Sequence, residues 1–159
     1  ALSDQRALVG QPFAAPGGLA SAGRVFAYDL GTPIEHTDLG QGMAGQGGLV
    51  PSLTGIGGMC GTDHEWLLLS DARPGALTWV VMGLGAQPLP LKGGVLVPDI
   101  SPPGDVLPLP VDELGNVALE GTWPGGVPSG AELVLQAWFV DASGPQGYSA
   151  SNGLLGRAP

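Results

Sequence analysis

The apolar and polar positions of this chain follow a strand pattern, most clearly in the run Glu132–Asp141, ELVLQAWFVD. Successive side chains of a strand point to opposite faces. One face of this run would carry Leu133, Leu135, Ala137 and Phe139, and the other Val134, Gln136, Trp138 and Val140. Both faces are mostly apolar, which predicts a central strand that is covered on both sides. The stretch Asp105–Leu155 around it is therefore the predicted core of a two-layer β structure.

Further short apolar runs alternate with Gly- and Pro-rich turn signals, and none has helical periodicity. The predicted strands, besides the central one, are Ala22–Leu30, Leu49–Gly57, Glu65–Ser70, Leu77–Leu84, Gly94–Val97, Val106–Val111, Val117–Gly121 and one within Tyr148–Leu155. This pattern predicts an all-β fold, an antiparallel β-sandwich of the Ig-like or jelly-roll-like kind with about eight or nine strands.

Two turn segments predict which strands pair. Asp71–Gly75 contains Pro-Gly, in which proline presets φ and glycine accepts a positive φ. It predicts a hairpin between Glu65–Ser70 and Leu77–Leu84. Gly115 suits the left-handed position of a short loop, and it predicts a second hairpin between Val106–Val111 and Val117–Gly121.

The density of apolar runs divides the chain into an extended N-terminal arm, residues 1–48, and a sandwich domain, residues 49–159. The arm shows one good strand at about 22–30, and a lone strand can satisfy its backbone only at a sheet edge. That edge could belong to its own sandwich, to a propeller outside this sequence, or to a neighbouring copy. We expect strand addition to a neighbouring copy, with Val25, Phe26 and Tyr28 as interaction residues.

Composition excludes several classes of protein. Gly (29) and Pro (16) are abundant, but a 43% hydrophobic content and four Trp argue against a disordered chain. Five scattered basic residues against 14 acidic ones offer no surface for nucleic acid or for anionic lipid. No apolar run approaches the length of a membrane span, so no membrane insertion is expected. Scarce Lys with abundant Gly, Ser and Pro favours an extracellular or cell-surface location. The start of the sequence lacks a leader pattern, so an exported protein would be represented here by its mature form.

The densest group of potential metal ligands is Cys60, Asp63, His64 and Glu65, with His36 in a separate loop. Zinc sites need three or four ligands at suitable spacing, and the G-x-S-x-G elbow of many hydrolases is absent. We therefore predict no catalytic, cofactor or metal site and no enzyme. The single Cys60 is expected to be a buried thiol, an intermolecular bridge or a reactive thiol.

The four tryptophans could stack on sugar rings, but each lies in or beside an apolar run. Core packing is the simpler interpretation for Trp66, Trp79 and Trp138. Trp123, beside Pro124 in a loop, is the best candidate for exposure and the fourth predicted interaction residue.

Residues from about Leu49 onward resemble a β-sandwich module near the C-terminus of many bacterial secreted and cell-surface proteins. The resemblance rests on PSLTGIGGMCG at Pro51–Gly61, LPLPVDELGNVALEGTWP at Leu107–Pro124 and LVLQAWFVDASGPQGYSASNGL at Leu133–Leu154. It implies a secreted accessory or structural module.

The N-terminal segment resembles part of an FG-GAP blade of integrin-α-type propellers, on the motif VGQPF followed by AGRVFAYD within Val9–Leu30. One partial blade cannot close a ring, and the Asp-rich calcium loop is missing, so no calcium site is implied. The resemblance instead raises the alternative that the chain is a fragment of a larger propeller protein.

These observations predict a non-enzymatic extracellular structural protein, which self-assembles through its N-terminal strand into a filament or surface layer. The alternative is a carbohydrate- or ligand-binding adhesion module of a larger secreted protein, whose partners would be surface glycans.

Overall fold

The computed structural model describes the backbone of residues 6–11 and 24–29 and the complete residues 36–59 and 64–159. They form two compact units, Ala1–Pro33 and Ile34–Pro159. The strands are β1 Arg6–Gln11, β2 Arg24–Asp29, β3 Thr37–Gly40, β4 Ser52–Gly57, β5 His64–Ser70, β6 Leu77–Gly83, β7 Ala86–Leu91, β8 Gly94–Pro98, β9 Asp105–Pro110, β10 Val117–Thr122, β11 Glu132–Val140, β12 Tyr148–Ala150 and β13 Gly153–Arg157. Two single 3₁₀ turns, Gln46–Gly48 and Pro145–Gly147, are the helical elements of these ranges.

The N-terminal unit contains one more strand than the sequence predicted. β1 pairs antiparallel with β2, from Arg6 opposite Asp29 to Gln11 opposite Arg24. The predicted strand at 22–30 is β2, and the expectation that it would be alone in the arm is wrong. The predicted boundary after residue 48 is also wrong, because β3 pairs with β13 and therefore belongs to the larger unit.

The larger unit is an antiparallel β-sandwich, as predicted. Its six-stranded sheet has the order β3-β13-β11-β6-β9, with β12 also paired to β11, and a three-stranded sheet has the order β10-β5-β4. The described strands outnumber the eight or nine predicted. The alternation of apolar and polar residues was weak for three of them, β1, β3 and β7, and it did not reveal that the last strand is divided into β12 and β13. The main core lies between the two sheets and contains Leu53, Leu69, Val80, Leu135, Ala137, Phe139 and Leu154.

β11 is covered on both faces, as its alternating pattern predicted. Leu135, Ala137 and Phe139 enter the main core, while Trp138 joins a second cluster with Met43, Val81, Leu96 and Ala150. The two-stranded sheet β7-β8 contributes Leu96 to this second cluster. Gln136 joins it to the sheet: its Oε1 accepts from Val97 N (2.9 Å) and from Trp138 Nε1 (3.0 Å). Its Nε2 donates to the carbonyl oxygens of Val95 and Ser151, both at 3.1 Å.

Both predicted hairpins are wrong, although their turn residues behave as expected. β5 pairs with β4 and β10, whereas β6 pairs with β9 and β11. The segments after β5 and after β9 therefore cross between the two sheets. They are bonded to each other, through Ala72 N to Gly115 O (3.0 Å) and Gly75 N to Asp112 O (3.2 Å). Gly75 (φ 69°) and Gly115 (φ 84°) take the predicted left-handed conformation.

A bulge divides the last strand and redirects one side chain. β12 and β13 both pair with β11, and the register moves by one residue between Ala150 opposite Trp138 and Leu154 opposite Leu135. An extra residue in one strand bends it and re-aims a side chain. Here the amide of Asn152 reaches β4, where Oδ1 accepts from Leu53 N (2.8 Å) and Nδ2 donates to Leu53 O (3.1 Å).

Candidate functional site

The free edges of the sheets are the candidate interaction sites, because each edge presents backbone groups that another strand could pair with. Two edges are obstructed by proline. β9 has Pro108 and Pro110 at alternate positions, and the N–H of Val106, which shares their direction, is bonded to Asp105 Oδ1 at 2.7 Å. β7 likewise carries Pro88 and Pro90. A proline has no N–H to donate, so neither edge can complete a ladder.

Side chains obstruct two further edges. Asn152 occupies both backbone groups of Leu53 on β4, and Gln136 occupies Val95 and Val97 on β8. β3 has four residues, and its last N–H, that of Gly40, is bonded to Asp38 Oδ1 at 2.7 Å. These bonds interrupt the row of free backbone groups on β3, β4 and β8, although the groups of Gly55 and Gly57 on β4 have no hydrogen-bond partner within residues 36–59 and 64–159.

β10 differs from all of them. Leu53 points its backbone groups toward Asn152 and away from β5, so its partner Leu69 points its own groups toward β10. Val117 lies opposite Leu69 and therefore bonds to β5. Alternation along the strand then turns the N–H and C=O groups of Ala118, Glu120 and Thr122 outward. All three residues are exposed, and these groups have no hydrogen-bond partner within residues 36–59 and 64–159.

The four predicted interaction residues fall in two places. Val25, Phe26 and Tyr28 lie on β2, opposite Gly10, Val9 and Ala7 of β1, and their side chains lie outside the described part of the chain. Trp123 directly follows the open strand β10 and is half-buried. Its Nε1 is buried without a hydrogen-bond partner in the described ranges, so this indole N–H is not presented to a ligand.

The potential metal and catalytic residues are distributed over two faces of β5. His36 Nε2 lies 2.7 Å from Glu65 Oε1, with side chains 10% and 12% exposed. The neighbouring His64 projects to the other face, where Nδ1 lies 3.3 Å from Glu120 Oε1, and both of these side chains are exposed. Cys60 and Asp63 lie outside the described residues, so the predicted grouping of Cys60 with His64 stays a prediction. Residues 36–59 and 64–159 contain no group of three potential metal ligands.

The His36–Glu65 pair is expected to stabilise the domain. Glu65 Oε2 is already buried without a described partner, so His36→Ala would leave the whole carboxylate unpaired in a largely buried position. Breaking a buried pair is costly because the remaining charge stays buried. We expect a loss of about 2 kcal/mol in the free energy of unfolding, measured by denaturant titration.

His64→Ala is the matched control, since it removes an imidazole from an exposed carboxylate. Exposed pairs contribute little, so its free energy of unfolding should stay close to that of the unaltered protein. Equal losses in the two variants would contradict a stabilising role for the His36–Glu65 pair.

A buried carboxylate joins two loops beside the main core. Asp141 is 2% exposed, and it accepts from Gln46 N (2.8 Å) and Ser143 N (2.9 Å). It lines a cavity of about 250 Å³ together with Arg73 and Ser149. The arrangement fixes the loop before β4 to the turn after β11, and backbone N–H groups stabilise the buried charge.

An aromatic groove lies between β6, β8 and β11. It has a volume of about 270 Å³, and Trp79, Trp138 and Tyr148 line it with Leu96 and Ile100. Lys92 Nζ lies 5.1 Å from the centroid of the Tyr148 ring, within the range of a cation–π contact. Because Trp138 Nε1 is already bonded to Gln136, the groove offers few groups to sugar hydroxyls and suits an apolar group better.

No family model, characterised protein or solved structure matches this chain. The resemblances to a surface β-sandwich module and to an FG-GAP blade therefore stay predictions. None of the helical elements in the described ranges has the length and hydropathy required to cross a bilayer.

Proposed function

We propose that this chain is a non-enzymatic extracellular structural protein that associates with copies of itself through its N-terminal strands. The observation that supports this best is the two-stranded sheet β1-β2, which belongs to a unit separate from the sandwich. A lone two-stranded hairpin is marginally stable in water, and three or more strands or a packing partner are needed for independent stability. Association with another sheet supplies that partner.

The distribution of charge favours the N-terminal unit over the sandwich as the associating element. Residues 1–33 contain two basic residues, Arg6 and Arg24, and two acidic residues, Asp4 and Asp29, so the whole net charge of −9 falls on residues 34–159. Two sandwiches would repel each other on direct contact. A neutral segment can approach an acidic sandwich without that repulsion.

Assembly through a segment of one copy and an edge of the next is heterologous, so it repeats without closing unless the rotation forms a ring. A filament or a surface layer is the expected product. The aromatic groove supports the alternative, a ligand-binding module, only for a small apolar ligand, and it offers no set of polar groups suited to a glycan.

Removal of residues 1–30 tests the proposal. The full chain should increase in mass with concentration in sedimentation velocity experiments and form elongated particles in electron micrographs. The shortened chain should stay monomeric, because it has lost the donor strands. Circular dichroism and denaturant unfolding of the shortened chain provide the control, since both core clusters are drawn from residues 43–154. A full chain that is monomeric at every concentration, or a shortened chain that associates equally well, would refute the proposal.

A further inference from the structure

We infer that β10 is the acceptor edge of this protein and that its occupant is β2 of a second copy. The inference rests on the proposed function, and it adds the surface that the N-terminal strands would meet. It follows from the state of each edge of the sandwich, since an acceptor must offer free N–H and C=O groups over the length of a strand.

On the other described edges of the sandwich, such a row is interrupted or shorter. β7 and β9 each carry two prolines at alternate positions, and β8 and β4 are bonded to side-chain amides. β3 has four residues and a bonded terminal N–H. Natural sheet proteins obstruct their edges in these ways to prevent unwanted pairing. β10 is an edge strand of the same domain that is six residues long and contains no proline. It is therefore a candidate for functional strand pairing.

The geometry of β10 suits strand addition. Ala118, Glu120 and Thr122 present three outward N–H and three outward C=O groups, while Val117, Leu119 and Gly121 bond to β5. An added strand can therefore pair without disturbing the existing ladder. The half-buried Trp123 directly follows the last residue of the strand.

The length and charge of β2, the strand with the predicted interaction residues, suit it as the occupant. β2 and β10 each have six residues. Pairing two copies of β10 with each other would bring two sandwiches of charge −9 and two Glu120 carboxylates together. β2 instead belongs to the neutral unit and begins with Arg24. With β1 still paired to β2, the three-stranded sheet of one copy and the two-stranded sheet of the next would form one five-stranded sheet.

Ala118→Pro in the full chain tests the acceptor edge. Proline at an outward position of an edge strand removes a free N–H and leaves the bonds to β5 intact. We expect the dissociation constant of self-association, measured by sedimentation equilibrium, to rise at least tenfold. Val106→Pro is the matched control, because it also replaces an outward N–H of an exposed edge strand, on the obstructed edge of β9. Its dissociation constant should stay within about twofold of the unaltered value.

Hydrogen–deuterium exchange of the unaltered chain provides a second measurement that needs no folded variant. The amides of Ala118, Glu120 and Thr122 should exchange rapidly in dilute solution and slowly in the assembled state. Slowed exchange at all three amides supports the inference. If the shortened chain loses association while neither Ala118→Pro nor these amides respond, the acceptor assignment is wrong and the proposed function stands. If the shortened chain also associates normally, both are wrong.

Discussion

Gln136→Leu should lower the free energy of unfolding of this protein by about 4 kcal/mol, the largest effect that we expect of a single substitution. Gln136 is fully buried, and its amide bonds four groups: the N–H of Val97, the indole N–H of Trp138, and the carbonyls of Val95 and Ser151. Leucine has a similar size but leaves these groups without partners. Each buried polar group left unsatisfied costs roughly 1–3 kcal/mol, and the costs are not fully additive.

The measurement is denaturant unfolding followed by tryptophan fluorescence, which also reports the environment of Trp138. Gln87→Leu is the matched control, because it makes the same exchange on β7, where Gln87 is exposed. The control should change stability by less than about 0.5 kcal/mol. Equal effects of the two substitutions would show that Gln136 does not join β7-β8 to the larger sheet.

Asn152→Ala is expected to cost about 3 kcal/mol. Leu53 is 2% exposed, and removal of the Asn152 amide leaves its N–H and C=O without their hydrogen-bond partner. The substitution would also expose the edge of β4. We therefore expect lower stability in thermal unfolding and, in addition, more aggregation than in the unaltered protein.

Asn116→Ala serves as the control, since the Asn116 side chain makes no hydrogen bond to the described residues and lies in a turn. Asn152→Asp separates the two bonds, because a carboxylate retains an acceptor for Leu53 N but has no donor for Leu53 O. It should be at least as unstable as Asn152→Ala. Full stability of Asn152→Asp would contradict the two-bond arrangement.

The sequence was sufficient to predict the sandwich and its central strand, because period-2 alternation with two apolar faces describes β11 directly. It was not sufficient to predict pairing. Turn chemistry at Gly75 and Gly115 is compatible with a hairpin and with a crossover between sheets, since both need a left-handed residue. The distinguishing signal was Ala72, an apolar residue inside a turn, which is buried in the main core. A hairpin tip would have exposed it.

The candidate acceptor edge could not be recognised from the sequence either. An edge strand is open only when no other part of the chain bonds to its outer backbone groups. Such bonds can come from distant residues, as on β4, where Leu53 is bonded to Asn152, 99 residues later. Gln136 offered a weak signal, as a lone polar residue in an apolar strand. A buried amide in such a position usually has backbone partners, but the sequence does not identify β8 as their source. The pairing of His36 with Glu65 likewise depends on β4 and β5 bringing distant segments together.

The long range of the Asn152 bond has a consequence for how the chain folds. β4 and β5 are neighbours along the chain and can form a hairpin early, whereas their outer edge stays open until β13 and the bulge before it reach the sheet. Contacts of high sequence separation slow folding, because loop closure precedes the gain from pairing. During that interval β4 resembles a second acceptor. Rapid addition of β13 would then favour the sandwich over association of newly made chains through β4.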